Sequence, residues 1–271
     1  MTSKRQDQPP LPFIAPCTQL GIGASWRWLM LGFKDVTRAP RVSLSYGVVM
    51  ASVIMAASIL VWQGSSTWVM LLLLVGLVFF APIACVGIYA ISAQLERDIP
   101  VSLVRTLRAC LKRYIGTELV FVLALIIVFL VWARASSMTS IFMPNRGDYG
   151  WADLSAYLAI MSLVSVFFLG ITFAASVFAL PMIMHRDVDA ITAIVTSINA
   201  VLRNKLAMLV WGLLIGCGLL LGLASAGIFL VVFLPAVGHA VWHGYLETID
   251  ASQFPRHVAG ITATARAAKE R

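Results

Sequence analysis

Six stretches of this sequence, at roughly 43 to 62, 68 to 92, 117 to 133, 157 to 184, 206 to 223 and 226 to 246, are almost wholly apolar. About 20 such residues let a helix cross the hydrocarbon core of a bilayer. The expected fold is therefore all-α, a polytopic transmembrane helical bundle of about six spans. Composition agrees: 60% of the residues are hydrophobic, 12% are charged and the mean hydropathy is +0.91. A soluble domain is nearer about half apolar.

The formal net charge of +8 sits in short basic blocks between the apolar runs, which suits an anionic membrane surface and not nucleic acid. Those blocks set the expected orientation. The N-terminal part, the 93 to 116 connection, the 185 to 205 connection and the C-terminal tail carry 6, 5, 3 and 4 lysines and arginines, and only Arg134 and Arg146 lie on the other side. Both termini are then expected in the cytoplasm. Residues 1–24 read as a polar, Pro-rich arm, 25–250 as the membrane domain and 251–271 as a polar tail. The arm lacks an apolar core followed by a small-residue cleavage site, so the first span is expected to double as the insertion signal. All eight tryptophans fall near span ends or flanks, where indoles favour the headgroup zone, with Trp211 fitting least well.

Between the fourth and fifth spans lies an amphipathic segment. Ile191, Ile194, Val195, Ile198, Val201 and Leu202 share one helical face, Asp187 and Asp189 open it, and Arg203 and Lys205 close it, as the helix dipole prefers. Two other segments have the same plan. One puts Trp26, Leu29, Met30 and Phe33 on a face and stops before Pro40. The other opens at Asp98 and Pro100 and puts Leu103, Val104, Leu107, Leu111 and Tyr114 on a face. Each precedes two spans, and the second span of each pair carries Pro82, Pro181 or Pro235. The chain thus reads as three tandem units, each an interfacial amphipathic helix plus two spans. Pro181 is the expected kink in the long fourth span.

Several local patterns coincide with those of a known family. They are Arg38-Ala39-Pro40 up to Tyr46-Gly47, Ala81-Pro82 followed by Gly87-Ile88-Tyr89, and the block His185-Arg186-Asp187-Val188-Asp189-Ala190. Asn204, Trp211-Gly212 and the closing Pro235 with Gly238-His239-Ala240-Val241-Trp242-His243-Gly244-Tyr245 complete them. Together they resemble the bacterial integral membrane family called domain of unknown function 2189, over about residues 26 to 250. The resemblance implies an inner-membrane protein with no activity or cofactor to carry over. Members are sometimes labelled cytochrome oxidase subunits. A haem-copper core places several histidines on multiple spans, and this chain has four in all, so the catalytic subunit is excluded.

His239 and His243, four residues apart on one helical face, are the sharpest candidates for ligating a metal or haem. The plainer reading, a polar aromatic helix end, is preferred, and no cofactor is expected. Arg97 and Asp98, with Arg186, Asp187 and Asp189, are candidates for holding an anionic phospholipid headgroup or a partner subunit. Glu118, at the start of the third span, is a candidate for proton coupling. Gly212, Gly216, Gly218 and Gly222 allow close helix packing, first against the sixth span and second in an oligomer.

The cysteines Cys17, Cys85, Cys110 and Cys217 have no zinc-type spacing, and no hydrolase, Walker or H-E-x-x-H motif occurs, so an enzyme is not expected. The readings that remain are a non-catalytic protein organising lipid or membrane subunits, or a small-solute transporter or channel. A haem- or metal-binding redox subunit is more distant. The span interiors offer only Ser52, Ser58, Ser162, Ser165, Thr172 and Ser176 as polar groups, which favours the first.

Overall fold

A computed structural model of the chain describes residues 12–63, 84–102, 106, 117–142 and 150–256. Among these residues every regular element is helical, and extended pairing is limited to two isolated bridges. The order is α1 (Ala24–Arg38), α2 (Pro40–Trp62), α3 (Val86–Glu96), α4 (Thr117–Met138), a 3-10 turn (Thr139–Phe142) and α5 (Trp151–Ser176). It continues with α6 (Ala179–His185), α7 (Ala190–Arg203), α8 (Lys205–Ala224) and α9 (Ile228–Thr248). Five described stretches are long and apolar enough to cross a membrane: Pro40–Leu60, Leu119–Met138, Leu154–His185, Lys205–Ala224 and Ile228–Thr248. The all-helical, multi-span reading holds. Of the span expected at 68 to 92, the part up to residue 83, with Pro82, lies outside the described residues, as does most of the amphipathic segment near 98 to 114.

The axis of the bundle is α9. It is 67% buried inside the protein, against 22% to 39% for the other four candidate spans, and it packs on α1, α2, α3, α6 and α8. Two glycines permit this. A Cβ at Gly32 would run into the Ala236 carbonyl and Ala240, and one at Gly47 into the Val231 carbonyl and Pro235. Pro235 has no N–H to return to Val231. The helix nevertheless runs unbroken through it.

Pro40 accounts for the break between α1 and α2. Proline disfavours helical backbone at the residue before it and suits the first position of a new helix. Ala39 accordingly leaves the helical region at φ −131° and ψ 57°, closing α1 and opening α2. The long fourth span breaks at Val177–Phe178, between α5 and α6, and not at Pro181 itself. The proline ring clashes with the carbonyl four residues back, that of Val177. Ser197 of α7 fills the gap. Its hydroxyl accepts from the Phe178 N–H at 3.1 Å and donates to the Ala174 carbonyl at 2.7 Å, replacing one rung of the helical ladder.

In both described amphipathic helices the protein takes the stripe of small residues and only part of the apolar face, with Leu29, Phe33, Ile194 and Val201 packed on the core. In α1 the buried residues are Ala24, Ser25, Trp28, Leu29, Gly32, Asp35 and Val36, while Trp26 and Met30 are exposed. In α7 the buried residues are Ala190, Thr192, Ala193, Thr196, Ser197 and Ala200, while Ile191 and Leu202 are exposed. Lipid accepts large apolar side chains as readily as the protein interior does, so small residues, which let backbones approach, take the packed side.

Of the six tryptophans whose surroundings are described, four are buried in the protein. Trp28, Trp211 and Trp242 are among the largest fully buried side chains and Trp132 is buried, whereas Trp26 and Trp151 are exposed. Trp28 stands edge-on to Trp211 with centroids 6.0 Å apart. Where they are described, the arm and tail are tied to the bundle and to each other. Thr18 N–H donates to the Thr248 carbonyl (2.8 Å) and Asp250 N–H to the Pro16 carbonyl (2.9 Å). Asn204 holds the Leu20 N–H (2.8 Å) and the Thr18 carbonyl (3.0 Å). Residues 15–38, 92–98, 185–205 and 239–256 therefore gather at one end of the bundle, the end rich in basic residues.

Candidate functional site

The last three turns of α9 present polar side chains to four neighbouring helices. His239 is fully buried between α2 and α3. Ser92 Oγ donates to the Ile88 carbonyl of its own helix (3.1 Å), so it accepts from His239 Nδ1–H at 2.7 Å. His239 Nε2 then carries the lone pair that accepts from Ser43 Oγ–H at 3.1 Å. This neutral imidazole is satisfied at both nitrogens, as a buried polar group requires.

One turn on, His243 Nε2 meets Asp35 Oδ2 of α1 at 2.7 Å. Asp35 is buried, and Arg38 Nη1 lies 3.5 Å from its other oxygen. Burial by itself would push the Asp35 carboxyl up. The hydrogen bond and charge of His243, with the Arg38 guanidinium behind it, outweigh that and hold it below the ordinary carboxylate value of 3.8.

Three further ties flank this pair. Trp242 Nε1–H donates to Glu96 at the end of α3 (3.1 Å), and Trp28 Nε1–H donates to Glu247 (2.8 Å), which also pairs with Arg27. His185 Nδ1 meets the Tyr245 hydroxyl at 3.0 Å, which fastens α6. Chemically, the arrangement is a set of hydrogen-bonded latches, charge-assisted at Asp35, Glu96 and Glu247, holding α1, α2, α3 and α6 onto α9.

A shared metal site at His239 and His243, the less favoured of the two readings, does not match their contacts. His239 has both nitrogens bonded to serines and His243 Nε2 faces Asp35, so the two do not converge on a common point. Among the described residues no group of three histidine, cysteine, aspartate or glutamate side chains is placed to hold a metal ion.

The basic and acidic candidates make contacts within the fold. Asp189 is the N-cap of α7, its Oδ1 accepting from Thr192 N–H at 2.9 Å. Arg186 Nη1 donates to the Phe254 carbonyl (3.0 Å) and Asp187 N–H to the Pro255 carbonyl (2.9 Å), which straps the tail against α6. Arg97 and Asp98 end α3. Asp98 sits in the left-handed region at φ 51° while Ile99 N–H closes on the Gln94 carbonyl at 3.0 Å, a Schellman-type cap. Glu118 belongs to α4, and its side chain lies outside the described residues.

Gly218 and Gly222 face Phe233 and Leu230 of α9, while Gly212 and Gly216 have no neighbour within 4 Å of where a Cβ would stand. Ser162 is exposed and Thr172 donates to its own helix's Phe168 carbonyl (3.0 Å), so these mid-span hydroxyls do not come together.

Sequence reasoning missed Asp35, Ser43, Ser92, Glu96, Glu247 and Ser197. A signal existed for the first: Trp28, Gly32 and Asp35 fall at i, i+4 and i+7, a stripe of aromatic, small and acidic residues along α1.

Residues 69–185 match the family model described as predicted integral membrane protein (DUF2189), the family that the local patterns resemble, over a shorter stretch than the expected 26 to 250. The match takes in Ser92, Glu96 and His185, while Asp35, Ser43, His239 and His243 lie beyond it. No curated protein and no solved structure matches the chain.

Proposed function

We propose that this integral membrane protein is a non-catalytic organiser of lipid or of partner subunits, acting at the cytoplasmic face of a bacterial inner membrane. The observation that carries the reading is where its polar groups go. They converge at the basic end of the bundle and are spent on latching helices together, while the mid-span hydroxyls of the described residues are scattered. A transporter needs polar or ionisable groups near the bilayer midplane. A surface organiser needs a rigid, basic end, and α1 and α7 supply one, each with large apolar side chains left outward for lipid.

Native mass spectrometry of the protein, extracted in mild detergent from its own membrane, tests this reading. A reproducible partner subunit or retained lipid supports it. A bare monomer that moves a solute into reconstituted vesicles overturns it in favour of a transporter.

A further inference from the structure

Where α1 meets α2, the chain forms a groove against the end of α3 with a volume of about 660 Å³. Its lining includes Arg38 and Arg41 on one wall and Val42, Leu95 and Val101 on the floor, with Asp98 at the rim. The floor is continuous with the small apolar cluster of Ala39, Ile88 and Ile91, so it is a packed wall and not a loose loop.

Depth gives the groove its meaning. The apolar run of α2 begins at Pro40, so Arg38 and Arg41 stand at the edge of the hydrocarbon, the level of lipid phosphates. Arg38 is shared between Asp35 (3.5 Å) and Asp98 (3.8 Å), and Arg41 is exposed with no carboxylate within ion-pair distance among the described residues. Arg38 is engaged by those two carboxylates, so Arg41 supplies the unpaired positive charge of the rim. A guanidinium grips phosphate oxygens in a fork. An apolar floor below a basic rim is complementary to a molecule with an anionic head and an acyl tail.

We propose that this groove binds one anionic phospholipid, its phosphate on Arg41 and Arg38 and an acyl chain along Val42, Leu95 and Val101. The inference rests on the organising role proposed above and names its ligand. Free phosphate would use the rim and leave the floor bare, so the lipid is the better fit.

The test is lipid retention by native mass spectrometry of the full chain, titrated with phosphatidylglycerol or with phosphatidylcholine of the same acyl chains. Wild type is expected to retain phosphatidylglycerol in preference, undisplaced by inorganic phosphate. Arg41→Gln is expected to lower retention about five-fold and the Arg38→Gln, Arg41→Gln pair more than about ten-fold. Arg41→Lys keeps the charge and is expected to restore part of it. Circular dichroism and a monodisperse elution profile establish that each variant is folded, and Arg41→Gln alone carries the test if the pair is not.

Three results overturn the groove: equal retention of both lipids, an unchanged Arg41→Gln, or an equal loss in Arg203→Gln, which removes a basic residue elsewhere on the same end. Displacement by phosphate would make it an anion site and not a lipid site. Retention of lipid by wild type with Arg41→Gln unaffected defeats the groove and leaves the organising role intact, whereas wild type with neither lipid nor subunit defeats the role itself.

Discussion

Asp35 shows how much one side chain decides here. It is the acidic residue on the packed stripe of a basic helix, and it faces His243, His239 and Arg38. Because its folded carboxyl titrates below its unfolded value, the stability it contributes is complete above about pH 4 and is lost as the pH falls through the lowered value. Asp35→Asn should therefore cost about 1–3 kcal/mol at neutral pH and flatten the acid limb of stability, read as detergent-phase unfolding from pH 6 to pH 3. An unchanged acid limb would mean that other carboxylates carry it. Trp28 and Trp211 make a matched comparison, since Trp28 Nε1 is bonded to Glu247 and Trp211 Nε1 is buried with no partner among the described residues. Trp28→Phe should cost about 1–2 kcal/mol more than Trp211→Phe, because only the first leaves a carboxylate short of a donor.

At the scale of the element, the α5–α6 break depends on a side chain from another helix. Ser197→Ala removes the hydroxyl that serves both Phe178 N–H and Ala174 carbonyl, and about 1–2 kcal/mol should be lost in the same unfolding assay. If stability were unchanged, the helical rung would have closed by itself and Pro181 alone would make the kink. The α8–α9 hairpin is strained in a way that can be relieved. Ala226 holds φ 51° in the left-handed region and Gly227 φ 84°. Ala226→Gly should stabilise by about 0.5–1 kcal/mol. Gly227→Ala should do the opposite, since a Cβ there would also meet Met55 at 2.6 Å.

The molecule as a whole sorts its ends. Thr18 and Asp250 are bonded across the two terminal segments, so both lie at the same end whichever side of the membrane that is. The charge count then predicts which side: alkaline phosphatase fused after Arg146 should be active and the same reporter at the C terminus inactive. The reverse pattern would invert the proposed orientation and move the lipid groove to the outer leaflet.

Helices, most span positions and the break at Pro40 were legible in the residue order, because spanning length and proline stereochemistry are local properties. Asp189 as a helix cap was legible for the same reason. Which face of α1 and α7 meets the protein was not. In water the apolar face goes inward by default, but lipid is as apolar as a protein core, so a pattern such as Trp26, Leu29, Met30 and Phe33 carries no direction. The direction came from shape and pairing: Gly32 beneath the Ala236 carbonyl, Asp35 against His243 and Ser43 against His239. The sequence alone determined that this chain crosses a membrane several times as helices with a basic end. Only the tertiary structure decided what α9 holds, because those contacts join residues some two hundred positions apart and depend on backbone approaches that no local spacing encodes.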